Sequence, residues 1–448
     1  MNAKTIGRDN IFEGRGQRLW KKAKTLIPGG NQLLSKRAEM FLPEHWPAYY
    51  SKAKGPYVWD LDGRKYLDFS IMAVGACALG YADPDVDRAV VSAIKRGSIS
   101  TLNVPEEVGL AELLIKIHPW ADMARYARAG GESMAIAARI ARAYTGRDII
   151  AFCGYHGWAD WYLATNLKDK NGLNDHLLAG LEPKGVPHSL SGTILPFHYN
   201  KIEELERIVK ETKGKLAAII MEPVHTAEPK DGFLKKVRTI ARKTGAVLIF
   251  DEITVGWKLT YGGAHLLYGV NPDMAVFGKA TSNGYPMGAI IGRREVMQAA
   301  QSTFISSSYW TERIGPVAAL ATIRKMKKVN LPRHFTRIAL RVRAIWQRTA
   351  KKYGLPIETS DILAILTFTL TGPDAQEAKT LFVQEMLKRG FLASNIFYAT
   401  LAHKDSHIAQ YEKAVGEVFG IIAGARKKGG VKKLLKGPVA HSGFQRLN

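Results

Sequence analysis

The sequence predicts an α/β protein with a mostly parallel central sheet in a large domain and a small α+β domain built from both ends of the chain. Three observations lead to this prediction. Apolar strand patterns alternate with amphipathic helix patterns between about residues 85 and 325, which is typical of a parallel sheet covered by helices. An aromatic-rich hairpin pattern precedes this region. A helix, an apolar strand and a further helix follow it.

The N-terminal segment, residues 1–75, reads as a helix followed by a small sheet. Its sequence GPYVWDLDGRKYLDFS places aromatic and β-branched residues on both sides of Asp62-Gly63. An Asp-Gly pair between two such runs indicates a β-hairpin. We expect this segment to form part of the small domain.

Residues 76–325 form the predicted large domain. Continuous apolar strands such as RDIIAFCG, LAAIIMEP, AVLIFDE and MAVFG are separated by helix patterns such as KKVRTIARKTG. Ligands of open parallel sheets bind at the carboxyl ends of the strands. Glu222, Asp251 and Lys279 come directly after strand patterns, and we therefore expect them at one edge of the sheet.

The C-terminal part of the chain contains a second segment of the small domain, residues 326–428, and a basic tail, residues 429–448. The first has a helix pattern in FTRIALRVRAIWQRTAKKYG and an apolar strand in ILAILTFTLTG. The tail surrounds glycines with lysines in KKGGVKKLLKGP, and we expect it to be mobile.

The composition is that of a globular protein with an unusual positive charge. The chain has 448 residues, of which 46% are hydrophobic and 23% charged, and its net charge is +24. No zinc-finger spacing or RNA-binding aromatic motif accompanies the charge, so we expect a solvated basic surface and no nucleic-acid partner. Attraction of phosphorylated or carboxylate substrates is an open alternative.

Cysteine content and hydropathy indicate the compartment. Cys77 and Cys153 cannot form a disulfide framework, and their spacing matches no metal motif, so we expect a reducing compartment and no metal site. The first residues show no signal-peptide pattern, and no stretch approaches the roughly 20 apolar residues of a membrane span. These features predict a cytoplasmic protein with no membrane partner.

Lys279 and Asp251 are the candidate catalytic residues. Lys279 follows an apolar strand and a glycine, where burial would remove the charge of its amine, as a Schiff-base lysine requires. Asp251 ends the strand AVLIF, and a carboxylate there could pair with the pyridine nitrogen of pyridoxal 5′-phosphate (PLP). The alternatives are an ordinary surface lysine and a helix-capping aspartate.

Two further motifs fit the same cofactor. Gly130-Gly131 opens a helix pattern in ARAGGESMAIAARIARAYTG, and a glycine-rich helix N-terminus binds phosphate through backbone N–H groups. Tyr155 and His156 follow the strand DIIAFC, where an aromatic ring could stack on a flat cofactor. Taken alone, the glycines are equally consistent with a turn, and Tyr155 and His156 with packing.

In this order the motifs resemble the class III aminotransferases of PLP fold type I, and within that class most closely the glutamate-1-semialdehyde aminomutases. The resemblance extends from IPGGN at 27–31 to FYATLAHKDSHI at 397–408, which is nearly the whole chain. Its most specific stretches are AGGESMAIAARIARAYTGRD, GYHG, MEPV, GAVLIFDEITVGW, GVNPDMAVFGKA and GYPMGA.

The resemblance implies roles for the motifs already identified. Lys279 would hold the cofactor as a Schiff base and then carry the proton between substrate and cofactor. Asp251 would bind the pyridine nitrogen, and Tyr155 would stack on the ring. Gly130 and Gly131 would bind the phosphate.

Four further cofactor-binding residues follow from the resemblance alone. Glu222 of MEPV would be a supporting polar residue, and His225 stands where many class III members place a glutamine at the phenolic oxygen. Ile253, two residues after Asp251, would belong to the same cofactor site. Thr311 would reach the phosphate of the neighbouring subunit, which implies a homodimer with shared active sites.

The sequence departs from the family in ways that bear on the substrate. The phosphate segment is Ala129-Gly130-Gly131, without the usual hydroxyl side chains, and Lys258 stands in the segment where many members have an arginine. Candidate substrate-binding residues are therefore sought elsewhere: Lys36 or Arg37 after the Pro-Gly-Gly, and His156.

The predicted function is an aminotransferase that moves an amino group from an amino-acid donor to a carbonyl acceptor, both small molecules. The acceptor is expected among keto-sugars, semialdehydes and β-keto acids. The alternative within enzymes is glutamate-1-semialdehyde aminomutase, an isomerase that needs no external donor. A remote alternative is a non-catalytic, basic nucleic-acid-binding protein, against which the presence of both Lys279 and Asp251 argues.

Overall fold

The computed structural model describes residues 11–176, 179–224 and 227–447 of the chain. Within these residues the strands are, in chain order, Tyr50–Lys54 (β1), Tyr57–Asp60 (β2), Lys65–Phe69 (β3), Met123–Ala127 (β4), Ile149–Cys153 (β5), Ile194–Pro196 (β6), Leu216–Met221 (β7), Val247–Asp251 (β8), Met274–Phe277 (β9), Gly288–Gly292 (β10), Ile357–Thr359 (β11), Leu366–Leu370 (β12), Phe391–Ala393 (β13) and Ile396–Phe397 (β14).

The α-helices of the same residues are Arg15–Leu26 (α1), Pro84–Lys95 (α2), Pro105–Ile117 (α3), Gly130–Thr145 (α4), Asp160–Leu163 (α5), Thr165–Lys168 (α6), Ile202–Thr212 (α7), Phe233–Thr244 (α8), Arg294–Met297 (α9), Ile314–Lys328 (α10), Leu331–Tyr353 (α11), Ala375–Lys388 (α12) and Asp405–Lys427 (α13). Short 3₁₀ turns connect several of them, including Lys279–Ser282 and Ser308–Thr311.

The chain divides into two compact units. The larger unit consists of Gly75–Ala78 and Asp83–Arg333, and the smaller unit of the chain up to Val74, Leu79–Ala82 and the chain from His334 onward. Both ends of the chain therefore contribute to the smaller unit, as the predicted fold class requires.

The larger unit is built on a seven-stranded sheet with the strand order β4-β10-β9-β8-β7-β5-β6. β6, β5, β7, β8 and β9 run parallel to one another, whereas β10 is antiparallel to both β9 and β4. The connection from Phe277 to Gly288 is shorter than the dozen or more residues that a parallel crossover needs. The prediction of a mostly parallel sheet is confirmed, with an antiparallel edge.

Helices cover both faces of this sheet. Ile150 and Phe152 of β5 pack in one apolar cluster, which includes the inner face of α4. Ala151 and Cys153 of the same strand pack in a second cluster with residues of α7 and α8. Since alternate residues of a strand point to opposite faces, burial on both sides explains why the central strands are continuously apolar.

The smaller unit contains a four-stranded sheet, β1-β2-β3-β13, and a three-stranded sheet, β11-β12-β14. β2 and β3 form the predicted hairpin, with Tyr57 opposite Leu67. The Asp60 carboxylate accepts hydrogen bonds from the backbone N–H groups of Asp62 and Arg64 at 2.9 and 2.8 Å. Gly63 takes the left-handed conformation at φ +81°, which a glycine adopts without strain.

The chain after residue 428 makes defined contacts in the smaller unit, which differs from the expectation of a mobile tail. Val431 and Ala440 are buried. Gln384 of α12 donates from Nε2 to the carbonyl of Leu434 at 2.9 Å, and its Oε1 accepts from the backbone N–H of Lys436 at 2.7 Å. The apolar residues between the lysines and these backbone contacts anchor the segment despite its charge.

Among the described residues, no helix is both long enough and apolar enough to cross a bilayer.

Candidate active site

A cavity of about 410 Å³ lies at the carboxyl edge of the large sheet, within the larger unit. Asp251 at the end of β8 and Lys279 after β9 both line it, as does the start of α4. The remaining lining residues are Ala76, Arg128, Tyr155, His156, Gly157, Ile253, Thr254, Gly284, Tyr285, Pro286 and Met287. The structure thus brings two of the three predicted strand-end residues, Asp251 and Lys279, together at this cavity, and Glu222 does not line it.

Lys279 opens the short turn after β9 with a left-handed backbone, φ +41°. Its Nζ donates to Thr254 Oγ1 at 2.6 Å. Burial lowers the pKa of the Lys279 amine, and the charges of Asp251 and Glu222 oppose this shift in part. An amine with a lowered pKa is more often unprotonated, which a nucleophilic lysine requires.

Asp251 is buried and held from two sides. Its Oδ1 accepts from the backbone N–H of Ile253 at 3.0 Å, and its Oδ2 lies 2.8 Å from His156 Nδ1. His156 Nε2 lies 3.0 Å from the carbonyl oxygen of Cys153. The His156 ring therefore contacts the Asp251 carboxylate through one nitrogen and the Cys153 carbonyl through the other.

The N-terminus of α4 forms a narrow backbone surface beside the cavity. A Cβ on Gly130 would lie 3.1 Å from Ile253 Cδ1, and a Cβ on Gly131 would lie 2.8 Å from Trp158 Cδ1. A side chain at Gly131 would therefore force the indole or the backbone to shift, and one at Gly130 would fit only tightly. Glu132 Oε2 accepts from the N–H of Ala129 just before the helix at 3.0 Å, while the first helical N–H groups have no partner within an α-helix.

Arg128 fixes the segment that faces this helix start. Its Nη2 donates to the carbonyls of Trp310 and Glu312, both at 2.9 Å, and its Nε lies 2.8 Å from Glu312 Oε1. The Glu312 carboxylate in turn accepts from the backbone N–H of Gly315 at 2.8 Å, at the start of α10. The turn Ser308–Thr311 is thus tied to the segment that directly precedes α4.

The structure places the other predicted cofactor residues as follows. Tyr155 and Ile253 line the cavity. Glu222 is buried after β7, with Oε2 2.7 Å from the position of a Cβ on Gly154. His225 lies outside the described residues. Thr311 is exposed, and its hydroxyl donates to the carbonyl of Ser308 at 2.8 Å.

The predicted substrate-binding residues have other surroundings. His156 is almost completely buried, and its two ring nitrogens contact Asp251 and Cys153, so these contacts favour a positioning role over a substrate contact. Lys36 and Arg37 belong to the smaller unit, where Arg37 Nη1 donates to the carbonyl of Gln445 at 3.1 Å.

Sequence reasoning assigned no role to Thr254 or to Lys258. Thr254 receives the Lys279 amine, and Lys258 is completely buried, with Nζ 2.6 Å from the carbonyl oxygen of Thr254. Lys258 stands in the segment where many class III members carry an arginine, yet it does not line the cavity. Its sequence signal is a lone cation among the apolar residues of ITVGWKL.

Comparison with known proteins identifies the family. The sequence profile described as Aminotransferase class-III matches residues 42–396, most of the chain. The chain belongs to the class III aminotransferases. It is a PLP-dependent enzyme of fold type I.

Named relatives of this aminotransferase agree with the family. It is 31% identical over 416 residues to the 3-aminobutyryl-CoA aminotransferase of Cloacimonas acidaminovorans (strain Evry), covering 90% of this chain and 96% of the relative. The PLP internal aldimine form of the FumI protein of Sphingopyxis sp. MTA144 superimposes with a TM-score of 0.83 at 23% identity, over 92% of this chain and 97% of that one.

The expected likeness to the aminomutases is also found. A glutamate-1-semialdehyde aminomutase from Pseudomonas aeruginosa PAO1 superimposes with a TM-score of 0.78 at 20% identity, over 93% of this chain and 96% of that one. At such identities the superpositions show the fold. The distinction between a transaminase and a mutase depends on the chemistry of the site.

The residues of the cavity fit PLP. A helix N-terminus without side chains suits its phosphate, a buried carboxylate suits its pyridine nitrogen, and an amine of lowered pKa suits its carbonyl carbon. Among residues 11–176, 179–224 and 227–447, no three His, Cys, Asp or Glu side chains gather as metal ligands.

Proposed function

We propose that Lys279 binds PLP covalently in this aminotransferase and carries the proton during transfer of an amino group from an amino-acid donor to a carbonyl acceptor. The observation that carries this proposal is the position of the Lys279 amine. It lies in the cavity with Asp251 and the α4 N-terminus, and burial lowers its pKa. Once substrate displaces it from the cofactor, the same free amine can accept and return a proton.

We propose that Asp251 binds the pyridine nitrogen of the cofactor. PLP, when bound, supplies a ring that withdraws electrons from the carbon bearing the amino group, and a fixed anion at the nitrogen strengthens this withdrawal. The Asp251 carboxylate is held by the backbone N–H of Ile253 and by His156. These two contacts fix the orientation of the Asp251 carboxylate.

We further propose that Gly130 and Gly131 bind the phosphate through backbone N–H groups and that Tyr155 stacks on the ring. Glu222, Ile253 and His225 complete the proposed cofactor site. Tyr155 lines the cavity while 41% of it stays exposed. The exposed face leaves room for a planar ring.

A homodimer with shared sites is the proposed assembly. The exposed Thr311 of one subunit would reach the phosphate bound by its partner. The larger unit exposes Trp158, Phe304 and Tyr309 by 70%, 85% and 73%. Large aromatic side chains with such exposure are typical of interfaces.

For the substrate we propose a 3-amino acyl compound, with a 3-oxo acyl group as the corresponding carbonyl form. The support is the name of the curated relative at 31% identity, a 3-aminobutyryl-CoA aminotransferase. The net charge of +24 suits an anionic substrate of this kind, since a positive surface raises the local concentration of anions. We also propose a cytoplasmic location, which suits a chain with only two cysteines, Cys77 and Cys153, both of them buried.

The aminomutase alternative makes a different prediction for the cofactor. A transaminase releases its first product and keeps the amino group on the cofactor, whereas a mutase returns the amino group to the same substrate. We expect lasting conversion of the cofactor by an amino donor alone. An isomerase would keep its original spectrum with such donors.

The test is the visible spectrum of the PLP-loaded enzyme with L-glutamate, 3-aminobutyrate and 3-aminobutyryl-CoA as separate donors. We expect the band of the bound cofactor to give way to that of the pyridoxamine form with at least one 3-amino donor. Lys279→Ala should abolish the change, and Asp251→Asn should slow it by at least about tenfold, the loss of one charge-assisted hydrogen bond. Unchanged rates in both variants would refute the two assignments.

A further inference from the structure

A second buried lysine lies beside the one that we assign to the cofactor. Lys258 is 1% exposed, and its Nζ donates to the carbonyl oxygen of Thr254 at 2.6 Å. The hydroxyl of the same Thr254 receives the Lys279 amine, also at 2.6 Å. Thr254 therefore contacts both amines, one through its backbone and one through its side chain.

The segment that carries Thr254 and Lys258 is tied to the Lys279 turn at a second point. Trp257 Nε1 donates to Thr281 Oγ1 at 3.0 Å, and both residues are buried. Thr281 belongs to the same turn as Lys279. One short segment thus holds the Lys279 turn at two points, the Lys279 amine and the Thr281 hydroxyl.

This segment is itself rigidly held. The Glu252 carboxylate accepts from the backbone N–H groups of Ala264 and His265 at 2.8 and 3.0 Å, and Trp257 N–H donates to the Gly262 carbonyl at 2.7 Å. These contacts restrain the loop on both sides of Thr254. We therefore expect a displacement of the Thr254 carbonyl to move the Thr254 hydroxyl as well.

The charges around the two amines are unequal. Burial moves the pKa of Lys258 well below its ordinary value, the charge of Lys279 lowers it further, and Glu222 opposes both effects. The anions whose charges act on Lys279 are Asp251 and Glu222, and Asp251 is itself paired with His156. By reciprocity of linkage, a proton on either lysine disfavours a proton on the other.

We propose that Lys258 is a positioning residue for Lys279: through Thr254 it fixes the direction of the Lys279 amine, and its charge is coupled to the charge of that amine. The inference rests on the proposed role of Lys279. Lys258 does not line the cavity, so it acts on the reaction through Thr254 and not by touching the substrate.

The first test compares PLP-loaded wild type with Lys258→Met and Lys258→Arg. The readouts are kcat, the donor KM and the pH midpoint at which the visible band of the bound cofactor changes. We expect Lys258→Met to lower kcat about tenfold with little change in KM. Its pH midpoint should exceed that of Lys258→Arg by about one unit, because arginine keeps a fixed positive charge.

Lys379→Met is the matched control. Lys379 of α12 is another lysine whose pKa is lowered by burial, and it belongs to the smaller unit. We expect its kcat and pH midpoint to equal those of the wild type. Equal midpoints and equal kcat in Lys258→Met, Lys258→Arg and this control would overturn the proposal.

A second pair of variants keeps the test decisive if the Lys258 variants do not fold. Thr254→Ser retains the hydroxyl that receives the Lys279 amine, whereas Thr254→Val removes it at similar volume. We expect Thr254→Val to lower kcat about tenfold relative to Thr254→Ser, and equal kcat values would overturn the positioning route. If wild type itself holds no PLP on Lys279, the proposed function fails instead, which separates the two failures.

Discussion

His156 Nδ1 lies 2.8 Å from Asp251 Oδ2 at the base of the cavity. The second ring nitrogen of His156 is satisfied by the Cys153 carbonyl, so the imidazole joins the ends of β5 and β8 across the sheet. A single buried side chain thus connects the proposed cofactor anion to a strand that bears no other catalytic group. The pair explains how the carboxylate keeps one orientation.

His156→Phe should weaken cofactor binding and lower kcat without altering the donor KM. The ring volume is kept, but the Asp251 oxygen and the Cys153 carbonyl each lose a partner, at a cost of about 1–3 kcal/mol per group. The measurement is PLP affinity by fluorescence titration together with steady-state kinetics. A changed KM with normal PLP affinity would instead place His156 at the substrate.

Gly131→Ala should lower PLP affinity by about tenfold or more. A Cβ at this position would lie 2.8 Å from the Trp158 ring, so the indole or the helix start must shift away from the phosphate. Gly416→Ala in α13 is the control, because nothing lies within 4 Å of its Cβ, and alanine there adds about 0.5–1 kcal/mol of helix stability. Equal PLP dissociation constants for the two variants would contradict a phosphate role for this helix start.

Lys258→Met should stabilise the folded enzyme at pH 7. Burial lowers the pKa of Lys258, so between this lowered value and the ordinary value of 10.5 the unfolded state binds more protons than the folded state. The free-energy cost of burying Lys258 is therefore largest at low pH and fades as the pH approaches 10.5. We expect a gain of about 1–4 kcal/mol in the free energy of unfolding at pH 7. Denaturant melts at pH 7 and pH 10 check this, and a gain that does not shrink at pH 10 would contradict it.

Mixed dimers should reveal shared active sites. A dimer made only of Lys279→Ala subunits is expected to be inactive. A dimer made only of Thr311→Val subunits is expected to bind PLP more weakly. A mixed dimer contains one site with an intact Lys279 and the partner subunit's intact Thr311. Mixing the two after mild dissociation should therefore restore PLP affinity at that site to the wild-type value, and no restoration would argue against the exchange of Thr311.

The fold and much of the site follow from the sequence because buried parallel strands leave a clear pattern. Asp251 and Lys279 each end an apolar run, and the parallel order of β8 and β9 then places them at one edge. Gly130-Gly131 was recognisable because a glycine pair at the start of a helix pattern is a local signal.

Other contacts could not be read from local patterns. The His156–Asp251 and Thr254–Lys279 contacts join residues 95 and 25 positions apart, and side-chain direction at a strand end depends on tertiary packing. The burial of Lys258 could not be predicted either, because lysine side chains are mostly exposed. The antiparallel β10 depends on the length of the turn before it. The tail beyond residue 428 is held by backbone contacts that its composition does not reveal.

The most direct test of the account identifies the lysine that carries the cofactor. The PLP-loaded enzyme is reduced with sodium borohydride, digested and mapped by mass spectrometry, so that the reduced phosphopyridoxyl group stays on its lysine. The account predicts this mass on the peptide containing Lys279 and on no other peptide. Its appearance on the buried neighbour Lys258, or its absence from every lysine of a protein that binds PLP, would contradict the central assignment.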